Sequence, residues 1–301
     1  MKTNGKSTPR DVILTTAFGL PFPKARLFFD SLKSTGYAGR IVVFTANLGR
    51  RSRSLYAAAG AEVIDHGVHL HRVLRRPLQM LFWKSVRMRP DAGSFSTPWD
   101  RLQQPNLLRW SLYRRFLAEH APEFDRVLLV DLRDVFFQRD PFDGVDPDFV
   151  TAHLEEGNMP VLDSPWNSLA MRRAFGREGF EKWGHLRVSC SGVVSGGITA
   201  VRAYLDAFAR LLPEVRMPDH GTDQALHIRL VGEEIAPVVR LCGNREGDAV
   251  QLAGVGRLDS IPRDSQKRLL NAAGIPFAIV HQFDRHPILP SQLSRRVQKQ
   301  A

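Results

Sequence analysis

Val127 to Val130 form an unbroken apolar run between Arg126 and Asp131. A leucine and β-branched run of this length, flanked by charge, predicts a strand buried on both faces. Asp131, Leu132, Arg133 and Asp134 follow it, then the apolar Phe136-Phe137, before Asp140-Pro141 turns the chain. Upstream the pattern alternates. Asp11 to Thr16 predicts a first strand leading into a loop at Ala17-Phe18-Gly19. Pro23 to Thr35 carries Ala25, Leu27, Phe28, Phe29 and Leu32 at helical spacing and stops near Gly36. Arg40 to Ala46 predicts a second strand with Asn47 at its end, Leu48 to Ala59 a second helix closed by Gly60, and Ala61 to Asp65 a third strand. That rhythm argues for βαβ units and a parallel sheet.

Downstream the pattern loosens. Gly67 to Gln104 is irregular and contains Trp83 and Trp99, whereas Asn106 to Glu119 returns to a helix carrying Arg109, Arg114 and Arg115. Phe149 to Ala152 predicts a strand, and Trp166 to Trp183 an amphipathic stretch, helical in its first half. Cys190 to Gly197 packs glycines and serines around Val193-Val194, and reads either as a close backbone approach to a ligand or a tight strand exit, or as a surface turn feeding a helix from Ala200 to Leu212. Thr222 is the candidate N-cap of a further helix, with Asp223 in its first turn. Val250 to Leu258 suggests an extended piece or hairpin. Pro276 to Val280 is the last apolar strand and delivers His281-Gln282 at its end.

Asp131 and Asp134 are the first candidates for chemistry, because ligands of open α/β sheets sit beyond the carboxyl ends of the strands. Residues three apart on a strand point to opposite faces, so the two act together only if the chain turns at Leu132-Arg133. Two converging carboxylates repel unless a cation lies between them, and oxygen ligands of this kind suit Mg²⁺ or Mn²⁺. The competing reading pairs Asp134 with Arg133 and leaves Asp131 to cap a turn. His281, at a strand end, is either a satisfied structural histidine or a further metal ligand.

Composition narrows the classes. The chain of 301 residues is 43% hydrophobic and 24% charged, enough for a sizeable core. Its two cysteines, Cys190 and Cys242, exclude a disulfide framework and a Cys/His zinc pattern. No membrane span is present and the polar, basic start is a poor secretion signal, so a cytoplasmic protein is the simplest reading. The G-x-G-x-x-G dinucleotide fingerprint, the P-loop and the Gly-rich arginine loop of sugar nucleotidyltransferases are all missing after the first strand. A net charge of +11 attracts polyanions, with basic clusters at Arg50-Arg51-Ser52-Arg53, Arg72 to Arg76 and Arg295-Arg296. No nucleic-acid-binding motif accompanies them.

Taken together, four stretches resemble the GT-A type glycosyltransferases, which use nucleotide-diphospho-sugars. Val127 to Phe137 resembles the strand with that superfamily's acidic metal motif, and Cys190 to Gly197 its small-residue loop before a helix. Asp223-Gln224 resembles the acidic residue opening a later helix near the sugar, and His281 the histidine that completes the metal shell. One departure stands out: the usual Asp-x-Asp is here Asp131-Leu132-Arg133-Asp134. Either the turn brings both carboxylates to the metal, or Asp134 alone holds it and Asp131 contacts ribose, or Arg133 replaces part of the metal's charge.

The resemblance implies a Rossmann-like, mixed, mostly parallel α/β sheet flanked by helices in a single domain. Residues 11–142 would form its nucleotide-binding half, 143–290 its acceptor-binding half, and 291–301 a basic tail. It implies a hexosyltransferase-like enzyme with Mn²⁺ or Mg²⁺ on Asp131, Asp134 and His281. Thr15, Thr16, Phe18, Arg109 and Arg133 would bind the donor, and Ser195, Gly196 and Gly197 would border the sugar and acceptor. Asp223 and Gln224 would be catalytic, Asp223 contacting the sugar or, if the reaction inverts the anomeric centre, acting as general base; the similarity of Asp223-Gln224 to retaining members implies retention, with a UDP-sugar as donor. The acceptor would be a glycan or lipid-linked molecule, an anionic one suiting the charge, reached at the inner membrane face without specific nucleic acid. The competing function is a basic α/β protein that binds nucleic acid or an anionic surface without catalysis. A carboxylate–metal hydrolase of phosphate esters is the third.

Overall fold

The structure is a computed structural model that describes residues 10–68, 76–81, 83 and 100–298. Most of the irregular stretch between Gly67 and Gln104 lies outside them, Trp99, Arg72 and Arg75 included. Seven strands form the main sheet: β1 (Asp11–Phe18), β2 (Arg40–Ala46), β3 (Glu62–Asp65), β4 (Arg126–Val130), β6 (Val150–Leu154), β7 (Ser189–Gly197) and β8 (Val239–Cys242). Their order across the sheet is β3-β2-β1-β4-β7-β6-β8. All neighbours are parallel except at β7, which runs against both β4 and β6. The fold is therefore the expected single-domain α/β class with a mixed, mostly parallel sheet flanked by helices.

Alternation within the strands explains why the run Val127–Val130 is apolar throughout. Val127 and Leu129 pack with Val12, Leu14, Trp110, Phe116 and Phe208 on one face. Leu128 and Val130 pack with Ile13, Phe28, Phe137 and Val193 on the other. Burying each such side chain contributes about 1.5–3 kcal/mol. The helices Pro105–His120, Ile198–Leu211 and Thr222–Arg229 lie on the first face, and Phe22–Ser34 on the second.

A second sheet, β5 (Val135–Phe137), β10 (Ile279–His281) and β9 (Ala249–Gln251), is ordered β5-β10-β9. In its register His281 stands opposite both Val135 and Gln251, which sets it beside the Asp131–Asp134 turn. The Gln282 N–H donates to the Asp134 carbonyl at 2.8 Å and closes that junction.

Several local expectations are corrected. Residues 190–197 form no loop: Ser189–Gly197 is a strand buried along its whole length. The stretch Pro165–Trp183 is helical in both halves, broken at Gly176, whose φ of 76° leaves the helical region. Gly221, with φ of 98°, occupies the N-cap that Thr222 was expected to fill. Thr222 is the first helical residue, and its Oγ1 accepts the Asp219 N–H at 2.8 Å. Of the extended piece or hairpin expected from Val250 to Leu258, the extended piece is present as β9, and the chain then turns at Leu258–Ser260. Residues 289–298 form a helix, Leu289–Gln298, with Leu289, Leu293 and Val297 buried. Arg296 is structural there, its Nη1 donating to Gln138 Oε1 at 3.2 Å.

Candidate functional site

A cavity of about 1080 Å³ opens at the carboxyl edge of the main sheet. Asp131 follows β4, Leu132 and Arg133 bend the chain, and Asp134 leads into β5, so the turn that the spacing demanded is present. It brings the two carboxylates to one side. His281 Nε2 lies 3.6 Å from Asp131 Oδ2 and 3.6 Å from Asp134 Oδ1, and one ligand atom from each of the three residues falls within 4.8 Å of the others. Two atoms sharing one small divalent ion at about 2.1 Å lie about 3–4.2 Å apart.

Two further observations fit a cation. The first is His281 itself: its Nδ1 faces Gln251 Oε1 at 2.6 Å, while its buried Nε2 has no hydrogen-bond partner among the described residues. Gln251 thus braces the ring from behind so that Nε2 faces the two carboxylates, the usual orientation of a metal-bound histidine. The second is Gly192, whose carbonyl accepts the Asp131 N–H at 2.9 Å. A Cβ there would stand 2.3 Å from His281 Cε1 and 2.9 Å from both His281 Nε2 and Asp131 Oδ2. The cradle exists because that side chain is missing.

Electrostatics distinguish the acids. Burial works against ionisation of Asp131, but the Arg109 guanidinium and His281 outweigh it and hold its carboxyl well below the usual range. Its side chain remains 36% open to the cavity. In Asp223, buried at 4% exposure, desolvation and the charge of Asp131 raise the pKa against the pull of Arg109. Desolvation likewise raises the pKa of Glu155, one residue past β6.

Arg109 joins these groups. Its Nη1 donates to Asp131 Oδ1, and its Nη2 to Asp223 Oδ2 at 2.9 Å and to the carbonyl and Oγ of Ser191 at 3.3 and 3.2 Å. The sequence suggested that Arg109 faces a diphosphate. Arg109 is buried on the cavity wall, and its two ion pairs fix where those carboxylates point. Arg133 does border the cavity, 54% exposed, with Nη2 3.5 Å from Asp134 Oδ2 and 3.2 Å from Asp284 Oδ2. The Asp134–Arg133 pair weighed as an alternative therefore coexists with the His281 contact.

Thr16 and Phe18 line the cavity, whereas the two-residue period of β1 turns Thr15 to the opposite face. Gln224 borders the cavity but uses its amide on the backbone of β7. Its Oε1 accepts from Ser191 N at 2.9 Å and its Nε2 donates to Ser189 O at 2.7 Å. Ser195, Gly196 and Gly197 are not among the lining residues. Because β7 runs antiparallel, they pair with Leu128, Val127 and Arg126 at the far end of β4. Their small size admits neighbouring backbone: a Cβ on Gly196 would meet Phe149 O at 2.3 Å, and one on Gly197 would meet Pro147 O at 1.8 Å.

Gly192, Gln251 and Glu155 were not singled out from the sequence. Glu155 lies beyond the expected end of its strand, and Gly192 is masked by the other small residues of its run.

No helix among the described residues is long and apolar enough to cross a membrane. No family model matches the chain, and no curated protein matches it by sequence. Among solved structures, the crystal structure of mouse xyloside xylosyltransferase 1 in its apo form is similar, with a TM-score of 0.45 and 16% identity over 91% of this chain and 98% of that one.

Proposed function

We propose that the protein is a glycosyltransferase that takes a sugar from a nucleotide-diphospho-sugar, a UDP-sugar, with a divalent cation held by Asp131, Asp134 and His281. The observation that carries this reading is the convergence of the buried His281 Nε2 on two carboxylates, 3.6 Å from each, with the ring braced from behind by Gln251. A carboxylate–imidazole donor set favours Mn²⁺ over Mg²⁺. The cation would supply Lewis-acid neutralisation of charge developing on the departing diphosphate.

The remaining tasks fall to the chain. Thr16 and Phe18 border the end of the cavity beside β1, where the nucleoside is seated. Arg133 adds positive charge at the mouth, next to the diphosphate. Arg109 locks Asp131 and Asp223 in fixed positions, so neither reorganises as charge moves. Asp223 contacts the sugar, and Gln224 pins Ser189 and Ser191 so that Gly192 keeps the cradle open. The anomeric configuration is retained in this reading, and product NMR on the anomeric proton decides it. The acceptor is a glycan.

Asp134→Asn is the decisive variant. It is expected to cost about a thousandfold in turnover, since the cation supplies several kcal/mol of charge stabilisation, with a melting temperature close to that of the parent. Mn²⁺ with UDP is expected to raise the parent's melting temperature, by about 2.7 kcal/mol of stability at a hundredfold excess over Kd. Full turnover by Asp134→Asn would refute the metal assignment.

A further inference from the structure

The cavity follows the strand order, from Thr16 and Phe18 on β1, past Asp131 and Gly192, to Glu155 beyond β6. Trp166, near the start of the 165–183 helix, borders the cavity with 48% of its surface exposed. The indole is braced from behind. A Cβ on Gly221 would lie 3.0 Å from its Cζ2 and Cη2, and the His220 ring meets it edge-on, 6.2 Å between centroids at 77°. Asn106 Nδ2 in turn contacts His220 Nδ1 at 3.3 Å. An open aromatic face held this firmly at a cavity rim is a surface ready to be covered.

The adjacent residue supplies an independent observation. Asn167 borders the same cavity at 4% exposure. Its Nδ2 donates to Ser164 Oγ at 2.9 Å, but its Oδ1 has no hydrogen-bond donor among the described residues. A buried carbonyl left unmatched is costly, and a ligand hydroxyl that reaches it removes that cost. Glu155 offers a second acceptor, in contact with Gln224 Nε2 at 3.5 Å.

Charge and polarity select the occupant. Glu155 and Asp223 repel an anion, and a purely apolar chain leaves Asn167 Oδ1 and Glu155 unmatched. A pyranose ring satisfies both demands: its C–H face carries slight positive charge that suits the negative face of an indole, and its hydroxyls donate.

We propose that Trp166, Asn167 and Glu155 form a saccharide subsite for a neutral pyranose, its C–H face on the indole and its hydroxyls donating to Asn167 Oδ1 and Glu155. The function proposed above is needed only to name this ring as part of the acceptor. A neutral ring then replaces the anionic acceptor that the overall charge suggested.

Saturation-transfer NMR on the full chain, without metal or nucleotide, tests the subsite with methyl glucopyranoside, methyl galactopyranoside, methyl mannopyranoside and methyl glucuronide at millimolar concentration. Saturation of the ring protons of at least one neutral glycoside is expected. Trp166→Ala should weaken that binding about tenfold and Trp166→Phe retain part of it, consistent with an aromatic contact worth about 0.5–1.5 kcal/mol. Asn167→Ala should weaken it too, and the glucuronide should bind less well than the glucoside. No saturation from any neutral glycoside would overturn the proposal, as would an unchanged signal in a natively folded Trp166→Ala, or preference for the glucuronide. Asp134→Asn separates the two readings, because it should keep the glycoside signal. Binding of Mn²⁺ and UDP with no glycoside signal refutes the subsite alone; a Trp166-dependent glycoside signal without Mn²⁺ binding refutes metal-dependent transfer and leaves the subsite standing.

Discussion

Strand β7 carries glycine near both of its ends, Gly192 at the carboxyl edge of the main sheet and Gly196-Gly197 at the opposite edge, and the two ends differ in what their missing side chains make room for. At Gly192 the vacated volume holds side chains, His281 and the Asp131 carboxylate. At Gly196 and Gly197 it holds backbone, the carbonyls of Phe149 and Pro147. Identical residue chemistry thus serves a candidate metal site at one end and strand packing at the other. What separates them is direction, because β7 alone among the main-sheet strands runs backwards and brings its start to the carboxyl edge. An added methyl at either end should therefore fail in different ways.

The largest effect is expected from Gly192→Ala. Its Cβ would occupy the approach to His281 Cε1 at 2.3 Å, so calorimetric titration should detect no Mn²⁺ binding and transfer should fall below detection. Unaltered Mn²⁺ affinity in a folded Gly192→Ala would show that the cradle is not where a cation sits. Gly197→Ala should instead damage the fold. A Cβ 1.8 Å from Pro147 O can be relieved only by moving backbone, and overpacking of this kind costs about 3 kcal/mol. Urea denaturation should show that loss, while the fraction remaining folded binds Mn²⁺ with parental affinity.

The contrast also marks what could be read from the sequence. Val127–Val130 was legible as a strand because burial on both faces leaves an unbroken apolar run, and Asp131 and Asp134 were legible as its end. His281 was found the same way, from the apolar residues that precede it. β7 was not, since serine and glycine carry weak strand preference; only its place between β4 and β6 makes it one, and its direction decides which end meets ligand. Hence Ser195, Gly196 and Gly197 were assigned to a sugar, while Gly192 in the same run went unnoticed. Arg109 shows a second limit. Its helix was legible, but its partners Asp131 and Asp223 stand 22 and 114 residues away, and no local pattern records that pairing.

A smaller effect should sharpen the role of the Gly192 end. Gln251 reaches no cavity atom that would touch a cation; it holds His281 Nδ1 at 2.6 Å and is itself fixed by Asn244, whose Oδ1 accepts from Gln251 N at 2.6 Å. Gln251→Leu removes that acceptor and frees the ring, and partners of this kind are worth about 10–100-fold in metal affinity. Gln251→Glu retains an acceptor and should bind Mn²⁺ within a few fold of the parent. Equal weakening by both substitutions would point to packing, with no role for the hydrogen bond.

The smallest expected effect is a pH dependence rooted behind the same end of β7. His227 is fully buried, its Nε2 on Ser189 Oγ at 3.0 Å and its Nδ1 on Tyr204 Oη at 2.8 Å. Burial, with the nearby charge of Arg109, pushes its pKa down to about 3. In the unfolded chain the same imidazole titrates near the ordinary value of about 6.5. Between those values the unfolded state binds the extra proton, so stability rises with pH across that window and falls as the solution is acidified. From pH 6 to pH 5 this histidine should account for about 1 kcal/mol of lost stability. Several carboxylates share the direction below pH 5, so the comparison belongs between pH 6 and 5, parent against His227→Gln. The variant's denaturation midpoint should fall less steeply there, whatever its absolute stability, because no proton is gained at that position on unfolding. Parallel slopes would mean that this ring is already protonated in the native fold, and that the start of β7 is less dry than its burial indicates.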